Sequence, residues 1–81
     1  MSIRIASSNL NQTPLDWNRN LKNIKKSIDL AKKNKVEILC LPELSITGYG
    51  CQDLFYHQWF IKKSYEILDE IIEYTESITL I

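Results

Sequence analysis

Glu43 is the residue of this 81-residue chain whose position points most clearly to catalysis. It follows an apolar run, residues 36–41, that predicts a buried strand, and Pro42 ends the strand because proline has no N–H to donate. Open α/β sheets carry their ligands beyond the carboxyl ends of their strands. Glu43 is therefore a candidate catalytic carboxylate, although without its neighbours a solvated loop acid would be the simpler interpretation.

Two cysteines could in principle supply a nucleophile. Cys40 lies inside the apolar run, where a free cysteine behaves as a small hydrophobic side chain. Cys51 lies in a glycine-containing loop, eight positions after Glu43 and six before His57, so a Cys-His pair is conceivable. We expect Cys40 to be structural and regard catalysis by Cys51 as the weaker hypothesis.

The same loop allows two further interpretations, both weak. Cys51, Asp53 and His57 could gather around a metal, but their spacing is not that of a recognised zinc site, so no metal is predicted. Gly48 and Gly50 lack the additional glycine and the Lys-Ser/Thr pair of a phosphate loop. We expect these glycines to provide positive φ angles in a tight bend.

The elements around Glu43 predict an α/β domain. Alternating isoleucines predict a first strand over residues 2–7, half-buried on one face. Thr13, Pro14 and Asp16 offer a cap hydroxyl, a first-turn proline and a first-turn acid, which predict a helix from there to about Asn34. The apolar run 36–41 then predicts a parallel strand covered on both faces, which completes a βαβ unit.

A second helix is predicted over residues 58–75, with apolar side chains on half of its surface. Half a helix surface is more than a small sheet covers, so we expect more protein to pack there. Residues 77–81 predict the beginning of a third strand. Because proteins normally avoid leaving an apolar sheet edge unpaired, we expect residues 1–81 to be an amino-terminal fragment of a larger domain.

Composition and charge limit the classes of partner that the chain is expected to bind. The net charge is zero, but residues 1–40 hold eight Lys/Arg against three Asp/Glu, while residues 41–81 hold two against seven. The lysines of the first helix lie on its outer arc without interleaved aromatic residues, which favours a solvated face over a nucleic-acid surface. No apolar run is long enough to cross a bilayer, so a cytoplasmic protein without nucleic-acid or membrane partners is expected.

The string from Leu41 to Phe55, Leu-Pro-Glu-Leu-Ser-Ile-Thr-Gly-Tyr-Gly-Cys-Gln-Asp-Leu-Phe, following a βαβ unit, resembles the nitrilase or carbon–nitrogen hydrolase superfamily. More particularly, it is similar to the glutaminase domain of glutamine-dependent NAD synthetases. The resemblance covers essentially the whole chain. It implies the β-α-β-α-β start of a nitrilase-type αββα sandwich, truncated at the third strand, with the rest of that domain and a synthetase domain absent.

The resemblance also implies a Glu-Lys-Cys triad that hydrolyses a carboxamide through a thioester. Glu43 matches the family's glutamate, the general base, and Tyr49 matches a tyrosine that lines the glutamine pocket, turned toward Glu43 by the bend. The family's lysine and cysteine lie downstream of this chain, which also places Cys51 in the loop rather than at the nucleophile's position. Glutamine would be the substrate, ATP and Mg²⁺ would serve the synthetase domain, and the parent protein would be a homo-oligomer.

Two other functions remain open from the sequence. The chain could belong to a stand-alone nitrilase-type amidohydrolase without a synthetase domain, a choice that the downstream sequence would decide. Alternatively, it could be a small βαβ module or remnant without catalysis, which would need to be monomeric and cooperatively folded at this length.

Overall fold

Strands and helices alternate along the whole chain. The computed structural model describes residues 2–81 and contains these elements: β1 (Ile5–Ser7), α1 (Trp17–Lys33), β2 (Ile38–Cys40), the short 3₁₀ helix α2 (Gln52–Tyr56), α3 (Gln58–Tyr74) and β3 (Thr79–Leu80). The predicted β-α-β-α-β order is confirmed, while α2 lies in what the sequence predicted to be an irregular loop. No helix within residues 2–81 is long and apolar enough to span a membrane.

The three strands form one parallel sheet in the order β1-β2-β3. Ala6 pairs with Leu39, and Leu39 pairs with Leu80 on its other side. Each strand is only two or three residues long, shorter than predicted, but pairing continues beyond the ends, for example from the Leu41 N–H to the Ile81 carbonyl at 2.8 Å. The pairing therefore holds the chain in place up to the residue before Pro42.

Both long helices pack on the same face of the sheet. The connections from β1 to β2 and from β2 to β3 advance across the sheet in the same direction. Because both are parallel crossovers, which are nearly always right-handed, their helices lie on the same side of the sheet. In the core between the helices and the sheet, β2 contributes Leu39, which is 2% exposed. The other buried members of the core come from both helices and the adjoining turns: Leu21, Ile24, Ile28, Ala31, Val36, Ile67, Ile71 and Ile78.

The opposite face of the sheet is open within residues 2–81, and there two strands are less buried than the sequence predicts. The isoleucines of the first strand, Ile3 and Ile5, are 58% and 64% exposed, while Ala6 faces the helices. β2 is covered on one face rather than two, since Ile38 and Cys40 are only half-buried. The apolar pattern marked the strands correctly, but it could not tell which face the helices would cover.

α1 begins three residues later than predicted. Asp16 is the N-cap and accepts a hydrogen bond from the Arg19 N–H at 3.3 Å, while the Thr13 carbonyl accepts one from the Asp16 N–H at 3.2 Å. Thr13 and Pro14 therefore belong to a turn before the helix, in which Leu15 has a positive φ of 63°. The predicted end is confirmed, since Asn34 is the C-cap.

α3 matches its predicted bounds and its division of faces. Phe60, Ile67 and Ile71 are buried. Four apolar residues at spacings of four and three remain exposed, and we refer to them as the α3 stripe: Ile61, Tyr65, Leu68 and Ile72. The helix therefore presents more apolar surface than the sheet and α1 cover.

Tyr74 joins α3 to α1. Its hydroxyl donates to the Asp29 carboxylate at 2.7 Å, and this bond, burial and the carboxylate's negative charge raise the pKa of Tyr74. The Lys25 and Lys32 ammonium groups lie 5.5 and 5.3 Å from the centre of its ring, within the range of cation–π attraction. Two lysines expected on the solvated arc of α1 thus contact the neighbouring helix.

Candidate active site

Glu43 occupies the position at the sheet that its sequence context predicts. It comes three residues after β2, at the carboxyl edge of the sheet, where it begins a turn over residues 43–47. The Glu43 side chain is exposed at the rim of a groove. A carboxylate in this place can contact a molecule bound in the groove.

The groove is a wide, open and largely apolar depression of about 700 Å³. The turn after β2 forms one wall and α3 forms the other, with the carboxyl end of β3 between them. The lining residues include Leu44 and Ser45 on the turn and Phe60, Tyr65 and Leu68 on α3. Glu43 is the one ionisable acid or base among the lining residues apart from the Tyr65 phenol.

The turn that carries Glu43 is closed by its own hydrogen bonds. The Ser45 hydroxyl donates to the Pro42 carbonyl, and the Gly48 N–H donates to the Leu44 carbonyl at 2.8 Å. Leu44 has a positive φ of 56°, an uncommon conformation for a residue with a side chain. The backbone on both sides of Glu43 is thereby fixed in a tight, partly strained turn.

Gly48 anchors the end of this turn against the segment before α1. A Cβ atom built on Gly48 would lie 2.9 Å from the Pro14 nitrogen and 2.9 Å from the Thr13 carbonyl carbon. Gly48 and Gly50 have φ angles of 81° and 83°, so the predicted positive φ angles are confirmed. The glycines serve the bend and a close backbone approach.

Tyr49 follows Gly48 and is 56% exposed. It is not among the residues that line the groove beside Glu43. Within residues 2–81 the bend therefore does not bring Tyr49 and Glu43 into one pocket, and a role for Tyr49 in binding glutamine stays a prediction.

Neither cysteine faces the groove. Cys51 is buried, and its thiol lies 3.4 Å from the Thr47 carbonyl oxygen and 3.6 Å from that of Gly48, in positions to donate to both. Cys40 is half-buried on the open face of the sheet. The structure thus gives Cys51 a part in holding the turn together.

The loop does not assemble a metal site or a phosphate site. Among residues 2–81, no group of three or more His, Cys, Asp or Glu side chains is arranged to hold a metal ion. Cys51 is directed at backbone carbonyls, while Asp53 and His57 are exposed. Gly48 lies against Thr13 and Pro14 rather than against open space.

Sequence reasoning missed two polar residues of this region, Gln12 and Asn20. Asn20 is fully buried, and its side chain bonds to the turn that follows β2. One signal was available: Asn20 lies three positions after Trp17 and four before Ile24, in phase with the apolar stripe of α1. A polar side chain in phase with a core stripe requires partners, and those partners lie in the turn.

Comparison with known proteins identifies the family. A family model described as carbon–nitrogen hydrolase matches residues 4–77. The chain belongs to the carbon–nitrogen hydrolase family. Among curated relatives, a glutamine-dependent NAD(+) synthetase of Oryza sativa subsp. indica is 41% identical over 78 residues, 94% of this chain and 11% of that protein. The Saccharomyces cerevisiae protein of the same name is 40% identical over 79 residues, 98% of this chain and 11% of that protein.

A solved structure agrees with this carbon–nitrogen hydrolase assignment. The crystal structure of a glutamine-dependent NAD(+) synthetase from Cytophaga hutchinsonii superposes with a TM-score of 0.94 at 51% identity, covering 96% of this chain and 13% of that one. The chain therefore spans about a tenth of the length of the proteins it matches. The resemblance seen in the sequence is confirmed, as is the α/β fold class of this part of the domain.

Proposed function

We propose that this chain is the amino-terminal part of the glutaminase domain of a glutamine-dependent NAD synthetase, with Glu43 as its general base. The observation that carries the proposal is the position of Glu43 on a fixed turn at the carboxyl edge of the sheet and at the rim of the groove. The close match to NAD synthetases in sequence and in structure supports it.

Glu43 would act twice in this reaction. Its carboxylate takes the proton of a cysteine thiol, and the thiolate attacks the carboxamide carbon of glutamine. Glu43 returns that proton to the departing nitrogen as the C–N bond breaks, which releases ammonia, leaves a thioester and restores the carboxylate. Glu43 then takes a proton from the water that attacks the thioester and passes it to the departing sulfur as the C–S bond breaks, which releases glutamate and regenerates the thiol. The cysteine and the lysine of the triad would come from residues downstream of this chain.

General-base catalysis requires surroundings for Glu43 that residues 2–81 do not provide by themselves. A base that competes with water for a thiol proton works best when it is partly desolvated, yet Glu43 is exposed in this structure. We propose that the remaining parts of the domain close the groove over Glu43. Tyr49 would then contribute to the glutamine pocket from the adjoining bend.

ATP and Mg²⁺ would serve the synthetase domain of the parent protein. Residues 2–81 fit neither group, because Gly48 and Gly50 are not followed by a lysine that would hold phosphates, and no group of three or more His, Cys, Asp or Glu side chains in this range is arranged to hold a metal ion. The parent is proposed to be a cytoplasmic homo-oligomer in which this chain packs against the rest of its own domain.

The test is Glu43→Gln in the full-length protein, which keeps the shape of the side chain and removes the base. Glutamine-driven NAD formation should fall by about 10²- to 10⁴-fold, the usual contribution of acid–base catalysis, while ammonia-driven synthesis survives. Glu37→Gln, an exposed acid before β2, is the matched control and should leave both activities unchanged. Loss of both activities in Glu43→Gln would contradict the assignment of Glu43 to the amidase reaction.

A further inference from the structure

Asn20 is a fully buried amide on the packing face of α1. Helical phase directs it toward the core, where neighbouring positions on the same stripe are apolar. A buried amide destabilises a protein unless its donors and acceptor find partners. The partners of Asn20 therefore show what the residue is for.

The Asn20 side chain makes three hydrogen bonds, and they join two different loops. Its Nδ2 donates to the Thr13 carbonyl at 2.8 Å and to the Ile46 carbonyl at 3.2 Å. Its Oδ1 accepts from the Thr13 N–H at 2.9 Å. Only a side-chain amide offers two N–H donors and a carbonyl acceptor at this length. Asn20 thus ties the turn after β2 to the segment before α1.

Gln12 provides a second tie beside the first. Its Nε2 donates to the Ser45 carbonyl and to the Asn20 carbonyl, the latter at 3.1 Å. Its Oε1 accepts from the Asn23 Nδ2 at 2.9 Å, which fixes the orientation of the amide. Two consecutive carbonyls of the turn, those of Ser45 and Ile46, are therefore each held by a side-chain amide.

These two carbonyls lie two and three positions after Glu43. The Glu43 side chain is itself exposed, so the backbone of the turn sets where its carboxylate can reach. A misplacement of about 1 Å in a catalytic group can lower a rate by about 10²-fold. The orientation of this turn thus matters more for Glu43 than local packing around its side chain.

We propose that Asn20 is a positioning residue for Glu43, supported by Gln12, and that the two amides fix the turn from which Glu43 works. The proposal rests on the proposed function of Glu43 as the base of a glutaminase. Asn20 and Gln12 contact neither the groove nor the reacting atoms; they act through the carbonyls of Ser45 and Ile46.

The experiment compares Asn20→Ala, Gln12→Ala and the control Asn18→Ala, an exposed residue of α1, in the full-length protein. For glutamine hydrolysis we expect kcat to fall by about 10- to 100-fold in both positioning variants, with KM for glutamine changing much less. The acid limb of the kcat pH profile should also move, since the surroundings of the base change. Ammonia-driven synthesis by Asn20→Ala and Gln12→Ala should match that of the wild type. Asn18→Ala should match the wild type in both activities.

Hydrogen exchange measured by mass spectrometry separates a loosened turn from a lost fold. Peptides covering residues 41–50 should exchange faster in both positioning variants, while peptides from α3 keep their protection. If Asn20→Ala instead speeds exchange throughout α1 and β2, that variant has lost its fold, and Gln12→Ala alone tests the proposal. Gln12 lies at the surface end of the network and is only half-buried, so its loss disturbs the core less.

Glu43→Gln is measured alongside, so that the two proposals fail separately. Wild-type glutamine hydrolysis in Glu43→Gln would overturn the proposed function. If Glu43→Gln abolishes hydrolysis but Gln12→Ala and a folded Asn20→Ala keep the wild-type kcat and pH profile, the positioning proposal is wrong and the proposed function stands.

Discussion

Gly48 and Gly50 show how differently two residues with the same backbone angle can be constrained. Both have φ angles near 80°, a region that residues with a Cβ adopt only at a cost. Beyond that shared cost, a Cβ on Gly48 would meet the Thr13 and Pro14 backbone at 2.9 Å, whereas the nearest atom to a Cβ on Gly50 is 3.9 Å away. Gly48 is therefore needed both for its φ and for its lack of a side chain.

We expect Gly48→Ala to destabilise the protein by roughly 2–4 kcal/mol and Gly50→Ala by only about 1 kcal/mol, since the first adds overpacking to the cost of positive φ. Urea unfolding followed by tryptophan fluorescence would measure both, because Trp17 packs against Phe60 in the core. Equal losses in the two variants would mean that the contact with Thr13 and Pro14 yields easily to a methyl group.

Sequence alone pointed to Glu43 as a candidate base but not to the residues that hold its turn. The carboxylate stands out because its position after an apolar strand and before a Gly-Tyr-Gly bend is visible in the string itself. Asn20 is separated from Ile46 by 26 positions, and no local pattern connects an amide on one helix to a carbonyl on a distant turn. The only sign of this contact in the sequence was that Asn20 lies in phase with the apolar stripe of α1.

At the scale of the elements, the end of α1 is closed by a Schellman motif built on a lysine. The Val36 N–H donates to the Ala31 carbonyl at 2.9 Å and the Lys35 N–H to the Lys32 carbonyl at 3.1 Å. Lys35 has a φ of 58° at the position where glycine is usual. The turn that directs the chain into β2 therefore requires the Lys35 backbone to adopt a strained left-handed conformation.

Lys35→Gly should stabilise the protein by about 0.5–1 kcal/mol, because relief of the left-handed strain outweighs the larger entropy of glycine in the unfolded chain. Lys33→Gly, two positions earlier in the last helical turn, should instead destabilise it by up to about 1 kcal/mol. Urea midpoints of the two variants against the wild type give the comparison. A loss of stability in both would contradict the assignment of strain to Lys35.

The elements themselves were predictable to different degrees. α3 has an unbroken division of apolar and charged faces, and its bounds were predicted to within a residue. The start of α1 was predicted too early because Thr13 has the hydroxyl that a helix cap requires. In the structure the Asn20 side chain binds the Thr13 backbone in a turn before the helix, and Asp16 is the cap. The sequence did not indicate that Ile3 and Ile5 would lie away from the helices, because burial depends on where the helices pack, a property of the whole sheet.

At the scale of the whole molecule, two apolar surfaces stay exposed within residues 2–81. One is the α3 stripe, and the other is the open face of the sheet, to which Ile5 contributes. Contiguous apolar patches of this kind mark surfaces that associate. The sheet adds two unpaired edges, at β1 and at β3, which are prone to pairing between chains.

The isolated 81-residue chain should therefore sediment as oligomers or aggregates at micromolar concentration. Placing lysine at two positions of the α3 stripe, Tyr65→Lys with Ile72→Lys, should shift it toward a monomer. Leu30→Lys is the control, since Leu30 is 61% exposed on α1 but stands apart from the stripe. A sharp, reversible melt of the unmodified chain with a monomeric mass would favour an independent module instead.

The order of the strands in the sheet follows their order along the chain. During synthesis, each new strand can therefore add to the edge left by the one before, and none has to be inserted between two partners already paired. The contacts of Asn20 with Thr13 and Ile46 span only residues that leave the ribosome before α3 does. We expect the turn carrying Glu43 to acquire its shape on the nascent chain, ahead of the helix that completes the groove.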